Sequence, residues 1–150
     1  MNKDVTEYME VAIEEALKAK DKGDLPFGAV VVHDGTIIGK GHAQDNSHGD
    51  VTAHAEMEAI REACASLGRN HLYDCTIYTT CEPCNMCGSA IFQAKIPTVV
   101  FGLMREDLPW LMRPRKIRIG DLARDSSFDI EITRGVMKEE VLELFADIER

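Results

Sequence analysis

The residues able to do chemistry lie in two short stretches, TAHAEMEAI at 52–60 and TTCEPCNMC at 79–87. The first carries His54 and, two residues on, Glu56; the second carries Cys84 and Cys87 directly after Pro83. One imidazole nitrogen and two thiolates suit Zn²⁺, and a helix N-terminus helps hold cysteines ionised. Three protein ligands leave a fourth position open, which separates a catalytic zinc from a closed structural one. Activation of a water is what such an open site supplies, and a proton carrier must stand beside it. Glu56, in a first turn, is placed to reach the open side without occupying it.

Plainer readings compete. A CxxC pair alone fits structural zinc or thiol redox chemistry equally well. The His-x-Glu stretch at a helix start and the lack of a second ligand pair turn the balance toward an open site. Cys81 is a possible fourth ligand that would close the sphere, but it precedes Pro83 on the strand side and is expected to point elsewhere. Cys64 and Cys75 read as small buried residues. His33, His42, His48 and His71 have no spaced partners and read as surface or locally hydrogen-bonded residues.

The elements that must position these groups are legible in outline. Val5, Tyr8, Met9, Ala12, Ile13, Ala16 and Ala19 form one helical face over 4–22, ended by Gly23. FGAVVVHDGTIIGKGHA predicts a hairpin of strands 27–33 and 36–43 about Asp-Gly. Met57, Ile60, Ala63 and Leu67 predict the inward face of a helix over 53–67. CTIYTT at 75–80 reads as a strand, and 84–94 as a helix with Met86, Ala90, Ile91 and Ala94 inward. TVVFG is a short buried strand. LPWLMRPRK suggests a short helix broken at Pro114, then a polar loop through RDSS. FDIEIT at 128–133 alternates as a strand, and MKEEVLELFADIE closes as a helix. His54 and Cys84 would then follow two adjacent parallel strands, with their helix N-termini at one sheet edge. The pattern predicts a three-layer α/β/α sandwich with a central mixed five-stranded sheet.

The 150 residues suit a single domain, 1–150, with one substantial core. No run approaches 18 apolar residues, so no membrane span is expected. The opening MNKDVTEYMEVAIEEALKAKDKG is too acidic and too regularly amphipathic for a secretory leader, which sets the expectation of a cytoplasmic protein. A formal charge of −9 argues against a broad polyanion-binding surface. Arg105, Arg113, Arg115, Lys116 and Arg118 form one basic cluster, which reads as a solvated loop or dimer surface, with RNA phosphate binding as the alternative.

HxE with PCxxC is the known signature of zinc deaminases, and the sequence resembles the cytidine deaminase superfamily at these residues. The likeness extends over PFGAVVV, TAHAE, YTTCEPCNMC, VVFG and ITRGVMKEE, in the branch containing guanine, cytosine and tRNA adenosine deaminases. It implies a cytidine deaminase-like fold, a Zn²⁺ cofactor on His54, Cys84 and Cys87, and Glu56 as proton shuttle. It also implies a homodimer whose neighbouring subunit helps shape each pocket. The reaction implied is hydrolysis at an amidine carbon, with Glu56 feeding the ring nitrogen and then the departing ammonia.

The main expectation is a free guanine- or cytosine-type base or related aminated heterocycle as substrate. The alternative is adenosine in a tRNA anticodon, converted to inosine. An asparagine that binds the base in this branch is replaced by Ala43, so Gln44 or Asn46 is expected to read the ring edge. Phe27 is a candidate wall for the ring, and backbone N–H groups near Ala55 are candidates for orienting its polar atoms. The aromatic C-terminal tail that closes guanine and cytosine deaminases has no counterpart in ELFADIE, so Asp107 through Trp110 are expected to supply the lid.

Overall fold

The computed structural model describes residues 4–149; residues 1–3 and 150, the ends of the expected 1–150 span, lie outside the described residues. Helix α1, Val5–Asp21, starts where the Asp4 carboxylate accepts the Glu7 N–H at 2.9 Å. Strands β1, Gly28–His33, and β2, Thr36–His42, follow as a hairpin. Its turn places Asp34 and Gly35 at φ 50° and 75°, the left-handed pair that an Asp-Gly loop tolerates. Then come α2, Ala55–Leu67; β3, Cys75–Cys81; α3, Asn85–Gln93; and β4, Thr98–Leu103. The chain closes with α4, Ile119–Asp125; β5, Glu131–Thr133; and α5, Lys138–Glu143.

Among the described residues the strands form one five-stranded sheet in the order β2-β1-β3-β4-β5. β1 runs antiparallel to both neighbours, and β3, β4 and β5 run parallel. Alternate strand residues feed two layers. Ala29, Val31, Ile77, Val99 and Phe101 pack with residues of α2, α3 and α4. Val30, Val32, Tyr78 and Val100 pack instead with Tyr8, Met9 and Ala12 of α1. Phe145, just beyond α5, joins Ala16, Leu103 and Leu108 in a third cluster. The three-layer α/β architecture expected from the sequence is the one observed.

The helices approach the sheet unusually closely, and small residues make that possible. A Cβ at Gly41 would lie 2.2 Å from the Ala55 carbonyl oxygen, and one at Gly39 would lie 2.2 Å from that of Ala59. This corrects the inward face read for α2. Ala55, Ala59 and Ala63 are fully buried, whereas Ile60 and Leu67 pack at the margin and Met57 is partly exposed. In α3 likewise Cys87, Gly88, Ile91 and Phe92 are buried, while Met86 and Ala90 are only partly so. Contact with glycine-bearing backbone selects the smallest side chains, which an apolar periodicity weighted by size overlooks.

Four further expectations are corrected. Residues 109–118 form no helix, because Pro109 and Pro114 interrupt them, and only Arg105–Asp107 makes a single 3₁₀ turn. The stretch read as polar loop holds α4, whose start is fixed by the Asp121 carboxylate accepting the Arg118 N–H at 2.9 Å and by buried Ile119. The last helix is shorter than 137–149 and continues through Ile148 as tight turns. Finally, β2 and β3 run in the same direction but are not adjacent, since β1 lies between them. The ends of β2, β3 and β4 nevertheless share one edge of the sheet, as pairings Gly28 to His42, Ala29 to Thr79 and Cys81 to Leu103 show. No helix among the described residues is long and apolar enough to cross a membrane.

Candidate active site

At that edge two helices begin. His54 is the N-cap of α2 and Cys84 the N-cap of α3, both with extended backbone that turns their side chains toward each other. His54 Nδ1 lies 3.6 Å from Cys84 Sγ and 3.4 Å from Cys87 Sγ. A tetrahedral zinc with bonds of ~2.3 Å to sulfur and ~2.0 Å to nitrogen holds its N and S donors about 3.5 Å apart, so the spacing fits the ion. Among the described residues this is the group of His, Cys, Asp or Glu donors that converges within 4.8 Å.

The protonation states support the same fit. The Cys84 thiol is lowered to about 4, first by the Cys87 S–H, then by His54 and the Cys87 backbone N–H at the start of α3. The Cys87 thiol is pushed well up by the Cys84 thiolate and by burial. Two thiolates side by side need more positive charge than one imidazole provides, and a bound dication provides it. His54 is itself raised, foremost by its hydrogen bond to Cys84.

Glu56 follows one residue into α2 and is 8% exposed. Burial, then the Cys84 thiolate, pushes its carboxyl up to about 7, a range suited to taking and giving protons near neutrality. Cys81 lies outside the converging group and packs with Ala16, Leu103 and Phe145; burial drives its thiol upward, away from ligand chemistry. Cys75 is buried with its thiol raised to about 12, again by burial first, and Cys64 is partly buried. His33 and His42 bond locally, to Asp74 at 2.9 Å and to Glu15 at 3.2 Å.

A cavity opens in front of these groups, and Phe27 and Ala55 line it as the sequence suggested. Ala43 lines it too, with its N–H donated to the Phe27 carbonyl at 3.0 Å, so this position offers the cavity no side-chain amide. The other expected base contacts lie elsewhere. Gln44 faces a separate surface groove with Glu15, Lys40 and Arg61. The Asn46 N–H is spent on Asp24 Oδ1 at 3.0 Å, and its amide reaches toward the Gly23 carbonyl. The Asp107 carboxylate is occupied by the Met104 N–H at 2.8 Å and by Lys138 at 2.9 Å. The Trp110 indole N–H donates to the Ile148 carbonyl at 3.0 Å, tying that segment to the C-terminal turns instead of closing the cavity.

The residues that do reach the cavity and escaped sequence reading are Asp45, Thr79, Thr80, Glu82 and Met112. Thr79 and Thr80 are internally committed, to the Cys81 carbonyl and the Gly28 N–H. Glu82, 6% exposed, receives two bonds from the Arg118 guanidinium at 2.7 and 2.5 Å. Asp45 stands 3.9 Å from His54 Nε2, on the side of the ring away from the sulfurs. Glu82 sits inside the CEPC motif, where its charge beside a proline was a readable signal. Asp45 and Met112 carried none, because their loops have no periodicity.

A family model described as the cytidine and deoxycytidylate deaminase zinc-binding region matches residues 2–103. The chain belongs to this deaminase family. Its members are zinc-dependent hydrolytic deaminases, in agreement with the Zn²⁺ donor set described above. The deaminase is 43% identical over 97 residues to a tRNA-specific adenosine deaminase of Aquifex aeolicus, covering 65% of this chain and 64% of that one. It is 46% identical over 95 residues to a tRNA-specific adenosine deaminase of Bacillus subtilis, covering 63% and 59%. The match thus spans less than two thirds of the length of these curated relatives. Among solved structures, one from a study of A-to-I editing by tRNA:A34 deaminases superposes with a TM-score of 0.81 at 31% identity, covering 93% of this chain and 99% of that one. These relatives overturn the expectation of a free guanine- or cytosine-type base as substrate.

Proposed function

We propose that this deaminase acts on adenosine in a tRNA anticodon, converting it to inosine with release of ammonia. The observation that carries the reading is the identity of 43–46% with proteins named tRNA-specific adenosine deaminase over 95–97 residues. A free heterocyclic base is accordingly replaced by an RNA partner. The sequence reading held this only as its alternative because net charge is a whole-chain average, while substrate choice is set at one cavity and its surroundings.

His54 Nδ1 and the sulfurs of Cys84 and Cys87 would hold the zinc, which when bound supplies Lewis-acid activation of a water. Glu56 takes a proton from water at its carboxylate and delivers it to adenine N1 as C6 is attacked. It then takes the remaining proton from the new C6 hydroxyl and passes it to the amine, so that the C6–N bond breaks, ammonia leaves and a carbonyl remains at C6 with the first proton on N1. Phe27, braced by Phe145 at a ring separation of 5.7 Å, provides an aromatic wall for a nucleotide flipped out of its stack. Ala55, at the start of α2, lines the same cavity, and backbone N–H groups there would orient the ring. Ala43 removes one side chain able to read the base, which leaves more of the recognition to the rest of the RNA.

The reading extends to the whole chain: residues 1–150 act as a single deaminase domain, and two copies pair so that each helps shape the other's pocket. Partly exposed Met57 and Met86 on α2 and α3 support such pairing. A tRNA substrate and thiolate ligands both fit the reducing cytoplasm. The test is incubation of zinc-loaded protein with an anticodon stem-loop bearing adenosine at the wobble position. Inosine and equimolar ammonia are expected; unchanged adenosine in every RNA offered, with zinc bound at one per chain, would refute the assignment.

A further inference from the structure

The chain as a whole repels polyanions, yet a basic stretch is tied to the cavity wall at Met112 and, through Glu82, at Arg118. Residues 103–118 carry Arg105, Arg113, Arg115, Lys116 and Arg118 against Glu106 and Asp107. Both carboxylates are already engaged, Glu106 by Arg118 and Asp107 by Lys138. Arg118 is further committed to Glu82. That leaves Arg113, Arg115 and Lys116, all exposed and with no carboxylate partner among the described residues.

The segment is fastened to the cavity instead of drifting in solvent. The Arg105 guanidinium donates twice to the Arg113 carbonyl, at 2.9 and 2.7 Å. Met112 donates its N–H to the carbonyl of buried Leu108 at 2.8 Å and turns its side chain into the cavity wall. At the other end, Arg118 grips Glu82 of the same wall. Arg113, Arg115 and Lys116 therefore lie in the short span between Met112, which lines the wall, and Arg118, which holds Glu82 of that wall. Some exposed cations elsewhere pair locally, as Arg61 with Glu58 and Lys18 with Glu15, and others such as Lys40 and Lys95 stand singly. Here three stand together unpaired.

A nucleotide flipped into the cavity brings its own 5′ and 3′ phosphates to the mouth. Arginine forks and a lysine at that mouth match phosphodiester oxygens in charge and geometry. We propose that Arg113, Arg115 and Lys116 form the phosphate-binding rim of the site and hold the RNA backbone on either side of the reacting adenosine. This deepens the RNA reading above and rests on it. Such a rim positions the substrate without reading its sequence. In an acidic protein it also directs an otherwise repelled RNA to the one place where reaction occurs.

The experiment compares wild type, the Arg113→Ala/Arg115→Ala/Lys116→Ala variant and a Lys40→Ala/Lys95→Ala control at exposed positions outside the cavity wall. Affinity for the anticodon stem-loop is measured over a salt series, and turnover in parallel. Each lost phosphate contact lowers the slope of log affinity against log salt by ~0.7–0.9, so the rim variant should lose about 2 in slope while the control keeps the wild-type value. KM should rise about tenfold or more with kcat and zinc content retained. An unchanged slope and KM in the rim variant, or an equal loss in the control, would overturn the proposal while leaving the adenosine deaminase assignment intact. Salt-dependent binding that the rim variant loses, without inosine formation by wild type, would instead overturn the assignment and leave the surface standing. No binding by wild type would overturn the rim, and inosine formation would then judge the assignment separately.

Discussion

Glu56 is the residue on which turnover should depend most sharply. It lies beside the donors without being one of them, so Glu56→Gln should keep zinc and lose inosine formation by about 10²–10⁴-fold. Metal analysis and a single-turnover assay read the two effects separately. Its burial makes a second expectation measurable in metal-free protein. The carboxyl is raised from an ordinary 4.5 to about 7, so ionising it opposes folding. The cost is absent below the unfolded value, grows through the interval, and is complete above about 7. At about 1.4 kcal/mol per pH unit the full cost is on the order of 3 kcal/mol. Metal-free Glu56→Gln should therefore melt above metal-free wild type near neutral and alkaline pH and converge with it as pH falls to the unfolded value. A constant difference at all pH would show that the carboxyl is not the cause. The identities of His54, Glu56, Cys84 and Cys87 were readable because donor softness and spacing are local chemical facts. Asp45 was not readable: its place near His54 Nε2 depends on how the 43–53 loop returns across the end of β2.

The position of α2 rests on glycines in its neighbouring strand. At Gly41 an added Cβ would stand 2.2 Å from the Ala55 carbonyl oxygen and 2.7 Å from the Ala59 nitrogen. Gly41→Ala should cost about 1–3 kcal/mol through overpacking. Because His54 caps this helix, zinc affinity should fall with stability. Chemical denaturation and competition with a chromophoric chelator check both; normal affinity in a destabilised variant would uncouple the helix from the site. Most elements were legible from periodicity and turn residues: α1, the Asp-Gly hairpin, β3 and β4 lie within a residue or two of expectation. The region from Arg105 to Asp125 was not. Its two prolines, single 3₁₀ turn and short α4 are held by long-range bonds such as Arg118 to Glu82, which no local pattern announces.

Over the whole molecule, the site is braced from the layer behind it. Phe145 is fully buried and contacts Phe27, so Phe145→Ala should cost about 3–5 kcal/mol and loosen the cavity wall. A melting curve and the KM for the stem-loop would show both effects, and a loss of stability with unchanged KM would confine Phe145 to the core. Zinc that binds the folded chain stabilises it by mass action, so chelation should lower Tm and added zinc restore it. An identical Tm with and without chelator would mean that the three donors do not hold a metal in solution.

The sequence by itself determined which atoms can bind metal, which carboxylate stands beside them, and that helices and strands alternate around one sheet. Those properties belong to side-chain chemistry and to repeats of two or about four residues, which act over short stretches of chain. Tertiary structure decided the rest: that donors thirty residues apart meet within 4 Å, that alanines and glycines form the closest contacts, and that Met112 lines the cavity while Arg118 holds Glu82 of its wall. Each of these depends on segments distant in sequence coming together, and proximity of that kind is set only when the layers pack.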